Sequence, residues 1–204
     1  MDIKPVQPIE KIMENNKPRK GLPPNAKLVF KGVIFEVWQW EQDMFDGTKQ
    51  TFEKIWRAPT VEIIATVGNQ LLIEKQDQPD RKNNINLVSG RADQGEGVLE
   101  EAKRELLEET GYRSDDWQLF MSHGKDGKVL HEVFYFIARN CQKIQEPDLD
   151  AGEKIETKLI SFEDFIKLRE EPRFWVSPEF INFLLQIQHD NRERESFKKL
   201  LFPG

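Results

Sequence analysis

GRADQGEGVLEEAKRELLEETGY, residues 90–112, is the stretch whose chemistry fixes the rest. Gly95 and Gly97 bracket the start of a helix, and Asp93 with Glu96 has the spacing of a capping box. Gly111 suits the left-handed residue that closes a helix, so the spacing predicts one from about Gly97 to Thr110. On a wheel of about 100° per residue, Val98, Ala102, Leu106 and Leu99 share one apolar face. Glu101, Glu105 and Glu108 form an acidic arc abutting that face, and Glu109 falls inside it, between Val98 and Ala102.

An acidic run on a helix is usually a solvated face, but three features oppose that here. Glu101, Glu105 and Glu109 stand at i, i+4 spacing, each like-charge pair costing about 0.2–0.5 kcal/mol. Glu105, Glu108 and Glu109 sit toward the C-terminal end, where the helix dipole repels anions. Glu109 would lose its hydration against the core unless something neutralised it. Arg104 can pair with Glu108, Glu100 or Glu101 but is turned the wrong way to serve Glu105 and Glu109 together. A bound cation removes all three costs. Carboxylate oxygens with no His or Cys nearby favour Mg²⁺, or Mn²⁺ in its place, over zinc. Magnesium keeps waters and bridges phosphate oxygens, which makes a polyphosphate the natural substrate.

Outward from the helix the chain alternates strands and turns. Leu28–Trp40 is rich in β-formers, with a hairpin turn expected at Asp46-Gly47 before Thr51–Trp56. Val61–Val67 and Gln70–Lys75 are apolar runs around Gly68-Asn69, and Ile85–Val88 is a short strand leading into the acidic helix. Trp117–Met121 and Val129–Ala138 flank a turn at Asp126-Gly127, and helices are expected after Ser161 and Ser177-Pro178. Strands mixed with a central helix and terminal helices predict an α/β layered domain, and the hairpins make its sheet mixed.

Composition narrows the setting. The chain has 204 residues, which suits one domain with appended segments, and its 38% hydrophobic content can bury a core. Residues 1–26 hold five of the eleven prolines and read as an arm, with a short helix near Ile9–Glu14; residues 191–204 read as a tail. No apolar run is long enough to span a membrane, and the first residues lack the continuous apolar stretch expected of a secretory signal. A net charge of −6 argues against nucleic-acid binding by charge alone. The single cysteine, Cys141, allows no internal disulfide and accords with a cytoplasmic setting; it reads as a packed residue near a strand end.

The 23-residue stretch resembles the Nudix box, G-x5-E-x7-R-E-U-x-E-E-x-G-U with U bulky and apolar or aromatic, at Gly90, Glu96, Arg104, Glu105, Leu106, Glu108, Glu109, Gly111 and Tyr112. The resemblance implies a Nudix fold, an α/β/α sandwich around a mixed β-sheet, and hydrolysis of a nucleoside diphosphate linked to another group X. It implies metal binding by Glu105 and Glu109, assistance from Glu108 through waters or a further metal, and a metal-binding backbone carbonyl at Ser89. Gly90, Glu96, Arg104 and Gly111 take structural roles, with Glu96 pairing Arg104.

Outside the box, residues 28–187 resemble the ADP-ribose and nucleotide-sugar pyrophosphatase branch. The shared outline is an N-terminal β-hairpin at 27–57, Arg57 ahead of the first core strand, Leu-Leu-Ile-Glu-Lys-Gln before the box and Gly-Glu-Lys-Ile-Glu at 152–156. The branch implies a Nudix domain at 58–190, a homodimer built by the hairpin, substrate contacts at Arg57 and at the position of Gln78, and a late metal-binding Glu at Glu153; Arg91, flanking the expected cleft, is a further candidate for phosphate contact. Two positions depart from it. Gln78 stands where relatives commonly carry Arg, and Ala151 stands where a general-base Glu is common, leaving Asp148, Asp150, Glu153 and Glu156 as carboxylates within loop reach.

Other candidates read as structural. His123, His131 and His189 lack metal or triad spacing, and Gly95-x-Gly97 lacks the third glycine of a dinucleotide loop. Trp38 and Trp40 read as core or dimer packing in preference to base stacking, and Lys75, Arg81 and Lys82 as ordinary surface charge. The expected function is Mg²⁺-dependent cleavage of ADP-ribose or a nucleotide sugar, a small-molecule substrate. Two alternatives are a nucleoside triphosphate pyrophosphohydrolase and a nucleotide-binding regulator that kept the fold and lost catalysis.

Overall fold

The computed structural model describes residues 19–92, 97–149 and 151–203, and the chain divides into two compact units. The expected helix at Ile9–Glu14 and the capping box of Asp93 and Glu96 lie outside the described residues.

The first unit runs to Pro59 and includes Gly124–Glu132. Its strands β1 (Lys27–Lys31), β2 (Phe35–Asp43) and β3 (Lys49–Arg57) form an antiparallel meander. The run Leu28–Trp40, expected as one strand, is two: the chain reverses at Gly32, whose N–H donates to Phe35 O at 2.8 Å. The expected Asp46-Gly47 turn is present, with Gly47 at φ 84° and Asp46 Oδ1 accepting from Thr48 N at 2.9 Å. Trp38 and Trp40 pack with Ala26 in a small core, which fits the packing role expected of them. Trp38 also donates from Nε1 to Glu36.

The second unit, Thr60–His123 with Val133–Gly204, is built on β4 (Thr60–Val67). β4 runs parallel to residues 133–138 of β10 (Val129–Arg139), which also pairs with β9 (Asp116–Asp126). On its other side β4 is shared: its first half pairs antiparallel with β7 (Val88–Arg91) and its second half with β5 (Gln70–Gln78). β5 then pairs with β6 (Arg81–Asn86) and with β12 (Lys154–Ile160), both antiparallel. The sheet is mixed, as expected. β12 was not anticipated, because its burial alternates across a Lys- and Glu-rich segment that reads as a loop. Two short strands, β8 (Tyr112–Arg113) and β11 (Gln142–Lys143), pair separately.

Helices cover both faces of this sheet. Helix α1 (Val98–Thr110) packs Ala102 and Leu106 onto Ile63, Leu72, Val88 and Phe136. The opposite face carries α2 (Phe162–Lys167), α3 (Pro178–His189) and α4 (Asn191–Leu201) over Ile64, Leu71, Tyr135 and Ile137. Ser161 and Ser177 cap α2 and α3 as their spacing predicts. The segment expected as a tail is largely helix α4, capped by Asp190, with Phe197 and Leu201 buried. Its sparse apolar positions, one turn apart, are easily mistaken for a solvated sequence. Among the described residues no helix is long and apolar enough to cross a membrane.

Candidate active site

α1 begins at Gly97 and ends at Gly111, whose φ of 72° and N–H bond to Leu107 O close the helix as expected. Gly111 has a second duty. Its carbonyl accepts from Ile144 N at 2.9 Å and Gln145 N at 3.3 Å, and a Cβ there would overlap the Gln145 backbone. The next contact in this loop is Asp148 N donating to Glu108 O at 2.8 Å.

The acidic side chains of α1 separate by environment. Glu101 is 2% exposed and paired with Arg104, which also holds Glu108 and, at 2.8 Å, Glu105. Glu109 is 6% exposed and accepts from Ser89 N at 3.2 Å, in the position the helical wheel predicts, inside the apolar face. Gly90 lies on β7 directly beneath Glu105, and any Cβ at that position would fall on the Glu105 carboxyl. Ser89 and the box residues Gly90, Glu105 and Glu109 therefore meet where β7 passes under α1.

Two carboxylates that the sequence reading left unused stand in the strands below. Glu74 on β5 is 1% exposed and Glu62 on β4 is 9% exposed; Glu74 Oε1 and Glu62 Oε2 have no hydrogen-bond partner among the described residues. The signal was available: a Glu in each of the apolar runs Val61–Ile64 and Leu71–Ile73 plus Glu74 is out of place in a strand buried on both faces.

Burial pushes the Glu62 carboxyl up to about 8. Burial, opposed by Arg104 and reinforced by the charges of Glu101 and Glu108, pushes Glu105 up to about 7. Glu109 is held well above the usual carboxylate range by burial and then by the charges of Glu74, Glu105 and Glu153, against the Ser89 N–H. Glu74 is raised by burial and by Glu153, Glu105 and Glu62. Each carboxylate thus makes its neighbours harder to ionise, and a shared cation would reverse that.

As they stand, no three His, Cys, Asp or Glu side chains among the described residues converge on one point. Glu105 is drawn to Arg104 and Glu109 to the Ser89 N–H. The donor set nevertheless fits a hard divalent cation: it is all oxygen, largely buried, and includes orphaned carboxylate atoms.

The remaining expected residues scatter. Glu153, just before β12, acts on Glu74 and Glu109 through its charge, whereas Glu96 and Asp150 lie outside the described residues. Gln78 ends β5 in register with Arg81, and Arg91 ends β7 in register with Thr60. Arg57 belongs to the first unit, where with Trp56, Lys20 and Leu130 it lines a cavity of about 270 Å³. His123 is held by Ser177 Oγ at 3.0 Å, a structural contact. Cys141 is 4% exposed, and burial pushes its thiol up to about 12.

The chain is similar to several known proteins. Residues 56–186 match the NUDIX domain model. The ADP-ribose pyrophosphatase of Bacillus subtilis (strain 168) is 24% identical over 149 residues, 70% of this chain and 79% of that protein. The mRNA-decapping protein g5R of African swine fever virus (isolate Pig/Kenya/KEN-50/1950) is 24% identical over 183 residues, 83% of this chain and 68% of that one. Among solved structures, an ADP compounds hydrolase shares the fold with a TM-score of 0.63 at 20% identity, covering 79% of this chain and 90% of its own. With the family model matching well over half of its length, the chain belongs to the NUDIX domain family and is a Nudix hydrolase.

Proposed function

We propose that this Nudix hydrolase splits the internal pyrophosphate of ADP-ribose or a nucleotide sugar with Mg²⁺, giving a nucleoside monophosphate and phosphorylated X. The observation that carries this is the burial of Glu109 beside Glu105, over strands that contribute further unpaired carboxylates. Glu105, Glu109, Glu153 and the Ser89 carbonyl are the proposed cation-holding groups, and Mn²⁺ is expected to substitute. The cation supplies charge neutralisation at the phosphates and a more acidic water. Glu108, 42% exposed at its side chain and clasped by Arg104, assists from the rim.

In the reaction a water oxygen bonds to one phosphorus while the bond from that phosphorus to the bridging oxygen breaks. The water's proton passes to a carboxylate within residues 148–156, in the loop before β12 or at its start, and then to solvent. The tether from Asp148 N to Glu108 O supports that assignment, because it fixes this loop at the end of α1. Gln78 and Arg91, at the ends of β5 and β7, are the proposed substrate contacts in this unit. Residues 27–57 are the proposed homodimer element; Phe30, Val33, Ile34, Phe35 and Phe45 are exposed there.

The test offers ADP-ribose, nucleotide sugars, dinucleoside polyphosphates, dNTPs and capped RNA with Mg²⁺, and identifies products by mass. AMP and ribose 5-phosphate from ADP-ribose, abolished in Glu109→Gln, is the expected result. Pyrophosphate released from dNTPs alone, turnover of capped RNA alone, or nucleotide binding with no turnover would each overturn it.

A further inference from the structure

Glu74 occupies the middle of β5, paired through its backbone with Asn86 on β6 and Thr157 on β12. Strand side chains alternate between faces, so Glu74 shares a face with Leu72, and Leu72 packs with Ala102 and Leu106 of α1. Two residues along the strand from that contact, Glu74 is directed at the underside of α1, the side that carries Glu105 and Glu109. Its side chain is among the most buried charged groups of the described chain, and Oε1 has no hydrogen-bond partner there.

Among the described residues, the charges that act on Glu74 are of one sign: those of Glu153, Glu105 and Glu62, all negative. Asn86, its strand partner, spends its side-chain amide on Gln76 Oε1 at 2.7 Å. The next residue, Lys75, points to the opposite face and is exposed. An unpaired carboxylate in such a place is among the most expensive groups a core can hold.

We propose that Glu74 is a further cation-holding carboxylate of this site, closing from the strand side a pocket whose helix side is Glu105 and Glu109. The proposal rests on the Mg²⁺-dependent reading above and extends it to a residue outside the box. To hold a cation, Glu105 would have to exchange its pairing with Arg104 for the ion, whereas Glu74, in a strand bonded on both edges, would offer its oxygen from a fixed position. A helix ladder alone presents its donors from one direction. A strand carboxylate opposite them gives the ion ligands on two sides.

The competing account makes Glu74 a neutral acid that merely fills the core. Metal binding separates the two without any turnover. Mn²⁺ titration of the full chain, followed by electron paramagnetic resonance, would compare wild type, Glu74→Gln and Glu109→Gln, with thermal unfolding measured in EDTA and in excess Mn²⁺. Glu74→Gln is expected to weaken Mn²⁺ binding at least tenfold, to raise the melting temperature of the metal-free protein, and to shrink the rise that Mn²⁺ produces. An unchanged affinity in Glu74→Gln, with Glu109→Gln impaired, overturns the role of Glu74 and leaves the metal site standing. Absence of Mn²⁺ binding in wild type overturns the metal-dependent reading itself. Should Glu74→Gln fail to fold, Glu74→Asp keeps the charge and withdraws it by one methylene; the same tenfold loss is expected, and wild-type affinity refutes the proposal.

Discussion

Replacing Glu62 with Gln should make the metal-free protein more stable, by an amount that grows with pH. Glu62 is 9% exposed on β4, its Oε2 has no partner among the described residues, and burial lifts its carboxyl from 4.5 to about 8. A group whose proton is held more tightly in the folded state contributes stability that is complete below its unfolded value. That contribution is lost as the pH rises through the folded one. Each pH unit between the two is worth about 1.4 kcal/mol, so the loss is about 3 kcal/mol near pH 7 and levels off at about 5 kcal/mol above pH 8. The E62Q protein has nearly the same shape and no proton to lose, so it escapes this penalty. Urea unfolding in EDTA, followed by tryptophan fluorescence at several pH values from about 5 to about 8, gives the stability difference between the two proteins directly. That difference should climb with pH even though Glu74, Glu105 and Glu109 give both proteins a common slope. A difference that stays flat, or an E62Q protein that is weaker throughout, would refute the reasoning, since either would mean that Glu62 has a partner or ionises freely.

Gly90→Ala places a methyl group on the Glu105 carboxyl and should lower turnover on the order of 100-fold with little change in substrate affinity; wild-type kinetics would show that β7 can move away. Cys141, buried and with its thiol pushed up to about 12, should react with a thiol reagent at pH 8 no faster than the protein unfolds, and prompt stoichiometric labelling would contradict that. Phe197→Ala should cost about 3–5 kcal/mol in chemical denaturation, because the ring packs against Phe120, Phe162 and Phe183; a loss under about 0.5 kcal/mol would return α4 to the status of a loose tail.

Helix α1 was legible because it obeys local rules. The period of Val98, Ala102 and Leu106 sets its face, Gly111 sets its end, and Glu109 is revealed by falling on the wrong side. The strands were legible where apolar runs were long, as in β4 and β10. β12 and α4 were not, because each buries only alternate or widely spaced side chains and owes its structure to partners distant in sequence. Glu62 and Glu74 escaped notice for a related reason. A lone charge within an apolar run is ambiguous until the fold shows which face it takes, and the pairing that brings β5 and β7 beneath α1 is a tertiary fact. Arg104 was half legible: its clasp on Glu101 and Glu108 follows from i, i+3 and i, i+4 spacing, but its reach to Glu105 does not.

The loop from Ile144 to Asp148 is fastened to the end of α1 by main-chain hydrogen bonds to Gly111 O and Glu108 O. Such an anchor is indifferent to which side chains the loop carries. On the proposed reading, the acid carried just beyond Asp148 can therefore shift by a position or two, with Ala151 standing where the base was expected, without loosening this clamp. Side-chain substitutions here should be tolerated freely by the scaffold. The exception is proline at 148, which would remove the donor to Glu108 O and free that end of the segment, while the bonds to Gly111 O remain.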